Sequence, residues 1–179
     1  LIMAYQLFEN YDPNTFQTLA KLFSKTALEV CEGQQYDVDF ETREDVTIPE
    51  YLKMIEYKTA VLVGAAMKMG AIVSQASLQE QNSIYEFGRN LGMAFQIQDD
   101  FLDTFGEEEK FGKIIGGDII ENKKTLLFIR AKQLLSEKDC SRLIEYSTHT
   151  QICVLELVTI SASALIPVSY THLRAHETG

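Results

Sequence analysis

The stretch that decides the fold reads Phe95-Gln96-Ile97-Gln98-Asp99-Asp100-Phe101-Leu102-Asp103. It lies in a longer segment, residues 81–105, whose apolar residues recur at helical spacing. Asp99 and Asp103 are one turn apart on such a helix, and Gln96 lies on the same face. Like charges at this spacing cost about 0.2–0.5 kcal/mol on an isolated helix. The pattern therefore predicts a helix whose carboxylates meet a cation or a positive partner.

The charge of the chain changes sign directly after this stretch. Residues 99–109 hold six acids and no base, whereas residues 110–132 hold six bases and two acids. Oxygen ligands without nearby His or Cys favour Mg²⁺, which usually shares its coordination sphere with substrate phosphates. Lysines would neutralise the remaining phosphate charge, and the candidates are Lys113, Lys123 and Lys124. For each lysine taken singly, an ordinary solvated charge is the alternative.

The preceding helix is predicted to begin at a capping box formed by Thr47 and Glu50, and to run to about Gly70. Lys58 and Thr59 lie in its middle, where a lysine needs either a partner or a path to solvent. The predicted inner side comprises Tyr51, Ile55, Leu62, Ala66 and Met69. Residues 71–77 are a short apolar connection to the next helix. Lys58 is thus a candidate functional residue.

An amphipathic helix is predicted from Asp12, as the N-cap, to a C-terminal end at Gly33. Its apolar stripe comprises Phe16, Leu19, Phe23, Ala27 and Val30. Residues 34–46 are expected to form a polar connection, so that Gln34 and Asp37 would follow the helix end. Residues 1–8 are apolar and suggest the middle of a buried helix.

The helix over residues 81–105 has a predicted core stripe of Ile84, Phe87, Leu91, Ala94 and Leu102. Gly88 and Gly92 are one turn apart and would let a neighbouring helix approach closely. A charged loop over residues 107–121 follows, then a helix from Asn122 to Leu135. Ser136 and Asp139 indicate a further helix start. With no strand alternation, the chain is predicted to be an all-α helical bundle.

Composition limits the function classes. The 179 residues are 46% hydrophobic and carry a net charge of −10, which fits a packed domain and argues against binding nucleic acid or anionic membranes. No stretch reaches the length and hydropathy of a transmembrane segment. Cys31, Cys140 and Cys153 form no CxxC pattern, so a reducing, cytoplasmic location is expected.

Taken together, five segments resemble the trans-isoprenyl diphosphate synthases, the polyprenyl synthetase family. They are residues 32–37, 58–60, 92–103, 112–118 and 122–125. The resemblance implies an isoprenoid-synthase-type helical bundle, here incomplete, and a homodimer when the protein is full length. It also implies a transferase of isoprenoid biosynthesis. By this resemblance, the enzyme would condense isopentenyl diphosphate onto an allylic diphosphate with Mg²⁺ to make a longer polyprenyl diphosphate.

The resemblance implies roles for individual residues. Asp99 would bind Mg²⁺, with Asp100 and Asp103 supporting the metal and diphosphate site. Lys58 and Lys113 would hold the allylic diphosphate. Thr59 and Gln96 would face the developing carbocation. Gln34 and Asp37 match an element of the family's substrate site. Lys123 or Lys124 matches the basic position that follows the aspartate-rich motif.

The chain departs from the family pattern at both ends. The family has two aspartate-rich motifs, and no first motif precedes residue 95 here. We therefore expect an N-terminally truncated chain that is inactive as it stands. Residues 1–150 would form a partial polyprenyl synthetase domain. Residues 151–179 would be a tail foreign to the family, read through from adapter or vector DNA from about residue 166.

Three alternatives to a prenyltransferase remain at this point. The main alternative is a non-catalytic partner subunit of a heteromeric prenyl diphosphate synthase, since such partners usually lose one metal motif. A terpene cyclase shares the fold, but its second metal motif is an Asn/Asp-Ser-Glu pattern in place of the DDxxD found here. A plain helical interaction module would have no reason to place Asp99, Asp103 and Gln96 on one face.

Overall fold

The computed structural model describes residues 2–106, 116–139 and 141, and every regular element in these ranges is helical. The all-α prediction is confirmed. The elements are α1 (Ile2–Gln6), α2 (Pro13–Glu41), α3 (Ile48–Ile55), a π-helical segment (Glu56–Ala60), α4 (Val61–Val73), α5 (Leu78–Phe105), α6 (Gly117–Ile120) and α7 (Leu126–Leu134). Within the described ranges, no helix has both the length and the apolar character needed to cross a membrane.

The chain divides into two compact units. The first contains the described residues up to Asp39 together with Leu52–Gln96, and the second contains Phe40–Tyr51 together with the described residues from Ile97 onward. In the first unit Phe8, Leu19 and Ile72 form a buried cluster. In the second, Ala131 of α7 is buried, with Ile119 and Phe128 packed against it.

Helix α1 is more exposed than the buried helix expected over residues 1–8. It covers Ile2–Gln6 only, and Met3 is 79% exposed. The rings of Tyr5 and Phe8 instead pack edge to face against Phe23 of α2. Apolar composition alone therefore overestimated the burial of this helix.

Helix α2 begins as predicted, because Asp12 Oδ1 accepts hydrogen bonds from the backbone N–H groups of Asn14 and Thr15. Its predicted end at Gly33 is wrong, since the helix continues to Glu41. Gly33 is buried, and a Cβ atom there would lie 2.7 Å from Lys58 Cα. Gly33 therefore permits close packing in the helix interior and does not end the helix.

The capping box of Thr47 and Glu50 is confirmed, with Thr47 N and Oγ1 both donating to Glu50 Oε2. The helical path that it opens extends beyond Gly70 to Val73. A second capping box, Ser77 with Glu80, starts α5 at Leu78 rather than Gln81. This second box is visible in the sequence but was not among the predicted features.

The predicted close approach at Gly88 and Gly92 is confirmed. A Cβ atom at Gly88 would lie 2.9 Å from Gly64 Cα, and one at Gly92 would lie 2.6 Å from Ala60 Cα. The predicted core stripes are partly wrong, because Leu62, Ala66, Phe87, Leu91 and Ala94 are exposed. Small residues, among them Gly64 of α4 and Gly88 of α5, lie where these two helices approach most closely.

Helix α7 begins later than predicted. Thr125 Oγ1 caps α7 by accepting a hydrogen bond from Phe128 N, whereas Asn122 has a left-handed φ of 56°. The helix start at Ser136 is confirmed by the hydrogen bond from Asp139 N to Ser136 Oγ. The predicted tail, residues 151–179, lies outside the described residues.

Candidate functional site

In the first unit, the predicted residues Lys58 and Asp37 form an ion pair. Lys58 Nζ donates to Asp37 Oδ2 at 2.5 Å, and the two side chains are 28% and 10% exposed. Asp37 lies on α2 because that helix continues past Gly33, whereas Gln34 on the same helix is exposed. The lysine in the middle of a core helix thus has the partner that its position required.

The neighbouring residue, Thr59, makes a second contact between elements of the same unit. Thr59 Oγ1 donates to Gln96 Oε1 of α5 at 2.8 Å. Lys58 and Thr59 both belong to the π-helical segment, whose wider turn is a rare feature that is frequently found at functional sites. The structure therefore brings together residues predicted from three separate segments, as two adjacent pairs.

In the second unit, the acidic stretch of α5 contains a buried carboxylate. Tyr51 is fully buried and donates its hydroxyl to Asp100 Oδ2 at 2.7 Å. Burial and the adjacent Asp100 carboxylate raise the pKa of Tyr51 far above its ordinary value, so the hydroxyl remains a donor. Tyr51 was predicted to lie in the core, but its hydrogen bond to Asp100 was not predicted. A buried tyrosine hydroxyl nearly always has a partner, which was the available signal.

Asp103 is held by the segment that follows the charged loop. Asp103 Oδ2 accepts a hydrogen bond from Asp118 N at 2.9 Å, and its carbonyl oxygen accepts one from Gly116 N at 2.7 Å. Gly116 has a φ of 80°, which favours glycine. Asp103 thereby satisfies a backbone N–H at the start of α6, as an N-cap residue does.

Asp99 is half-buried on α5, directly before the buried Asp100. Across the described ranges, no three Asp, Glu, His or Cys side chains converge as a ready-made metal cluster. Mg²⁺ is commonly bound through one or two carboxylates, with water and substrate phosphates completing its coordination. The oxygen-only donor set of Asp99 and its neighbours fits that mode of binding.

The two lysines after the loop differ in their surroundings. Lys123 Nζ bonds to Glu121 Oε2 at 2.7 Å and to Asp118 Oδ1 at 3.1 Å. Burial alone would lower the pKa of Lys123, but these two hydrogen bonds outweigh it and the pKa is raised. The Lys123 side chain is 27% exposed, so a charged ammonium group is available at the surface.

The Lys124 side chain is only 1% exposed. Its Nζ donates to Asn122 Oδ1 at 2.6 Å and lies 4.9 Å from the centre of the Phe128 ring. Burial lowers the pKa of Lys124, an effect that Glu44 at 3.8 Å only partly opposes. Lys113, also predicted to bind phosphate, lies outside the described residues.

Known proteins match this chain in sequence and in structure. The polyprenyl synthetase family model matches residues 1–159. A short chain isoprenyl diphosphate synthase of Methanothermobacter thermautotrophicus is 44% identical over 138 residues, which are 77% of this chain and 42% of that protein. A geranylgeranyl diphosphate synthase of Methanosarcina mazei is 49% identical over 110 residues, 62% of this chain and 34% of that protein.

Among solved structures, a geranylgeranyl pyrophosphate synthase superimposes with a TM-score of 0.81 and 50% sequence identity. The match covers 93% of this chain and 51% of that chain. The chain therefore spans about half, or less than half, of the length of these relatives. The family match over residues 1–159 includes the polar residues of the first unit, around Lys58, and those of the second unit, around Asp100.

Proposed function

The chain belongs to the polyprenyl synthetase family, and from that premise we propose that the protein is a Mg²⁺-dependent trans-prenyltransferase. It condenses isopentenyl diphosphate onto an allylic diphosphate and releases diphosphate. One observation carries the proposal. Residues that the resemblance marks as site residues, from three separate segments, pair in space as Asp37 with Lys58 and Thr59 with Gln96.

The chemistry of the first unit suits the allylic substrate. The Lys58 ammonium, held by Asp37, supplies positive charge for a diphosphate oxygen, a role shared with Lys113. Thr59 directs its hydroxyl hydrogen to Gln96 Oε1, so its own oxygen lone pairs remain for a developing carbocation. Gln34, exposed on α2, completes the proposed substrate contacts.

The chemistry of the second unit suits a metal-bound diphosphate. When bound, Mg²⁺ neutralises negative charge on the leaving diphosphate. We assign Asp99 as its ligand, with Asp103 and Asp100 in support. Asp100 has a supporting role because its carboxylate already accepts the Tyr51 hydroxyl. Lys123 is the better candidate for the basic position that follows, since Lys124 is almost completely buried.

The wider setting is proposed from the family and the cysteines. A homodimer is proposed for the full-length protein, as the resemblance implies. A cytoplasmic location accords with Cys31, an exposed free thiol, because free thiols persist in reducing compartments. The division into a helical domain, residues 1–150, and a tail, residues 151–179, remains a prediction.

A chimera tests the function without requiring this chain to act alone. The matched segment of the Methanothermobacter relative is replaced by the corresponding residues of this chain, and incorporation of labelled isopentenyl diphosphate into an extractable product is measured with Mg²⁺. We expect the chimera to retain Mg²⁺-dependent condensation. An inactive chimera that folds and dimerises like its host would contradict the proposed function.

Two substitutions in the chimera test the assignment of the acidic group. Asp99→Asn is expected to lower kcat about a hundredfold or more, because it removes a charge that acts on the leaving group. Glu9→Gln removes one negative charge from an exposed position and is the matched control, with activity unchanged. If Asp99→Asn keeps full activity, the partner-subunit alternative becomes the better interpretation of this chain.

A further inference from the structure

Two neighbouring helices hold the π-helical segment Glu56–Ala60 by its side chains. Lys58 reaches Asp37 on α2, and the next residue, Thr59, reaches Gln96 on α5. Each contact uses a different side chain of the segment and a different helix. The segment is therefore fixed from two sides, at adjacent positions.

The same two helices also contact the backbone of the segment, in each case through a glycine. A Cβ atom on Gly33 of α2 would lie 2.7 Å from both Lys58 Cα and the carbonyl carbon of Tyr57. A Cβ atom on Gly92 of α5 would lie 2.6 Å from Ala60 Cα. Backbone atoms cannot rotate away as a flexible side chain can, so a methyl group at either position would displace the segment.

The spacing of these residues is the same on both helices. Gly33 precedes Asp37 by four residues on α2, and Gly92 precedes Gln96 by four residues on α5. Residues four apart lie on one face of a helix, on successive turns. On each helix the glycine admits the backbone of the segment, and the polar residue one turn later holds a side chain of the segment.

We propose that Gly33 and Gly92 are positioning residues that set Lys58 and Thr59 in place by forming a slot for the π-helical segment. Neither glycine touches substrate in this assignment, because each acts through the segment. The consequence for catalysis rests on the proposed function, whereas the slot itself rests on contacts within the first unit. Gly33 was predicted to end a helix, and its burial against Lys58 gives it this different role.

Chemical labelling of Lys58 tests the slot without any turnover. The full chain is acetylated under limiting reagent, and the rate at Lys58 is measured by peptide mass spectrometry relative to the exposed Lys138. In Gly33→Ala the displaced segment should lose its ion pair with Asp37, and Lys58 should react about three- to fivefold faster. Asp37→Asn, which removes the ion pair directly, should give a similar increase.

Two matched glycine substitutions separate positioning from general effects. Gly70→Ala adds a methyl group in α4 where nothing lies within 4 Å, and Gly88→Ala adds one against Gly64, away from the segment. Both should leave the Lys58 rate unchanged, although Gly88→Ala should lower stability. An unchanged Lys58 rate in folded Gly33→Ala would overturn the proposal, as would an equal increase in Gly88→Ala.

Gly92→Ala provides a second, independent test if Gly33→Ala does not fold. Its methyl group would press on Ala60 at the other side of the segment, so Lys58 should again react faster. An unchanged rate in folded Gly92→Ala would overturn the proposal. Because labelling needs no substrate, an inactive chimera would count against the proposed function and leave the slot intact, whereas unchanged labelling would count against the slot alone.

Discussion

The two groups of polar residues satisfy their charges in different ways. In the first unit, one base meets one acid and one hydroxyl meets one amide, each across two elements of the fold. In the second unit, the described contacts of the α5 acids include two neutral donors. Asp100 accepts a tyrosine hydroxyl, and Asp103 accepts a backbone N–H.

The two groups therefore differ in the kind of donor that their described carboxylates accept. The Lys58–Asp37 pair is neutral as it stands, so its geometry is preformed by the fold. Hydroxyl and amide donors orient a carboxylate but do not neutralise it. The excess of acids in residues 99–109 suits a divalent cation. Four predictions test this contrast.

The largest effect is expected at the buried tyrosine. Tyr51→Phe removes the donor to Asp100 without creating a cavity, and leaves a buried carboxylate one hydrogen bond short. We expect the free energy of unfolding to fall by about 2–3 kcal/mol, measured by urea denaturation. Tyr11→Phe, at an exposed tyrosine, is the control and should change stability little. Equal losses in the two variants would show that the Tyr51 hydroxyl does not orient Asp100.

Local signals in the sequence were sufficient for most of the fold. The caps at Asp12 and Thr47 and the close approach at Gly88 and Gly92 depend on residues near each other in the chain or on residue size, and they were predicted correctly. Gly33 shows where this reasoning ends. A glycine inside a polar stretch resembles a helix end. Only the backbone of Lys58, far along the chain, explains why a glycine occupies the interior of this helix.

The site was predicted as residue types and not as pairs. Lys58, Thr59, Gln96 and Asp37 were all identified, yet no pattern in the sequence could join Asp37 to Lys58 while Asp37 was expected in a connection. Tyr51 was predicted to be buried, but Asp100 is 49 positions away and its partner could not be inferred. Long-range pairing is set by how helices pack, which periodicity does not contain.

A smaller effect is expected at the ion pair of the first unit. A double-mutant cycle with Lys58→Met and Asp37→Asn should give a coupling energy of about 1.5 kcal/mol, because both groups are largely shielded from water. The control cycle uses Lys25 and Glu29, an i,i+4 pair on α2 whose lysine is 71% exposed, and should give about 0.3–0.5 kcal/mol. A Lys58–Asp37 coupling energy no larger than that of the control pair would contradict the conclusion that the fold preforms this ion pair.

The next effect concerns the bond from Asp103 to the backbone of α6. Asp103→Ala should lower the free energy of unfolding by about 1 kcal/mol, as loss of a capping side chain does. Asp103→Asn retains an oxygen that can accept from Asp118 N, and should lose less than half as much. If both variants lose the same amount, the negative charge of Asp103 matters more than its hydrogen bond, contrary to the contrast drawn above.

The smallest effect is a pH dependence of stability that arises from Lys124. Lys58 has an acidic partner at 2.5 Å, whereas the carboxylate of Glu44 lies 3.8 Å from Lys124 Nζ. Burial lowers its pKa below the ordinary 10.5, an effect that Glu44 opposes only in part. Between the lowered pKa and 10.5, the unfolded chain binds more protons than the folded chain, so this group makes stability rise with pH. Lys124→Met removes that contribution and keeps a side chain of similar length. The free energy of unfolding of the parent minus that of Lys124→Met, measured by urea denaturation at successive pH values, should therefore increase as the pH approaches 10.5. A difference that falls over this range would mean that the folded state stabilises the Lys124 ammonium, contrary to the effect of its burial.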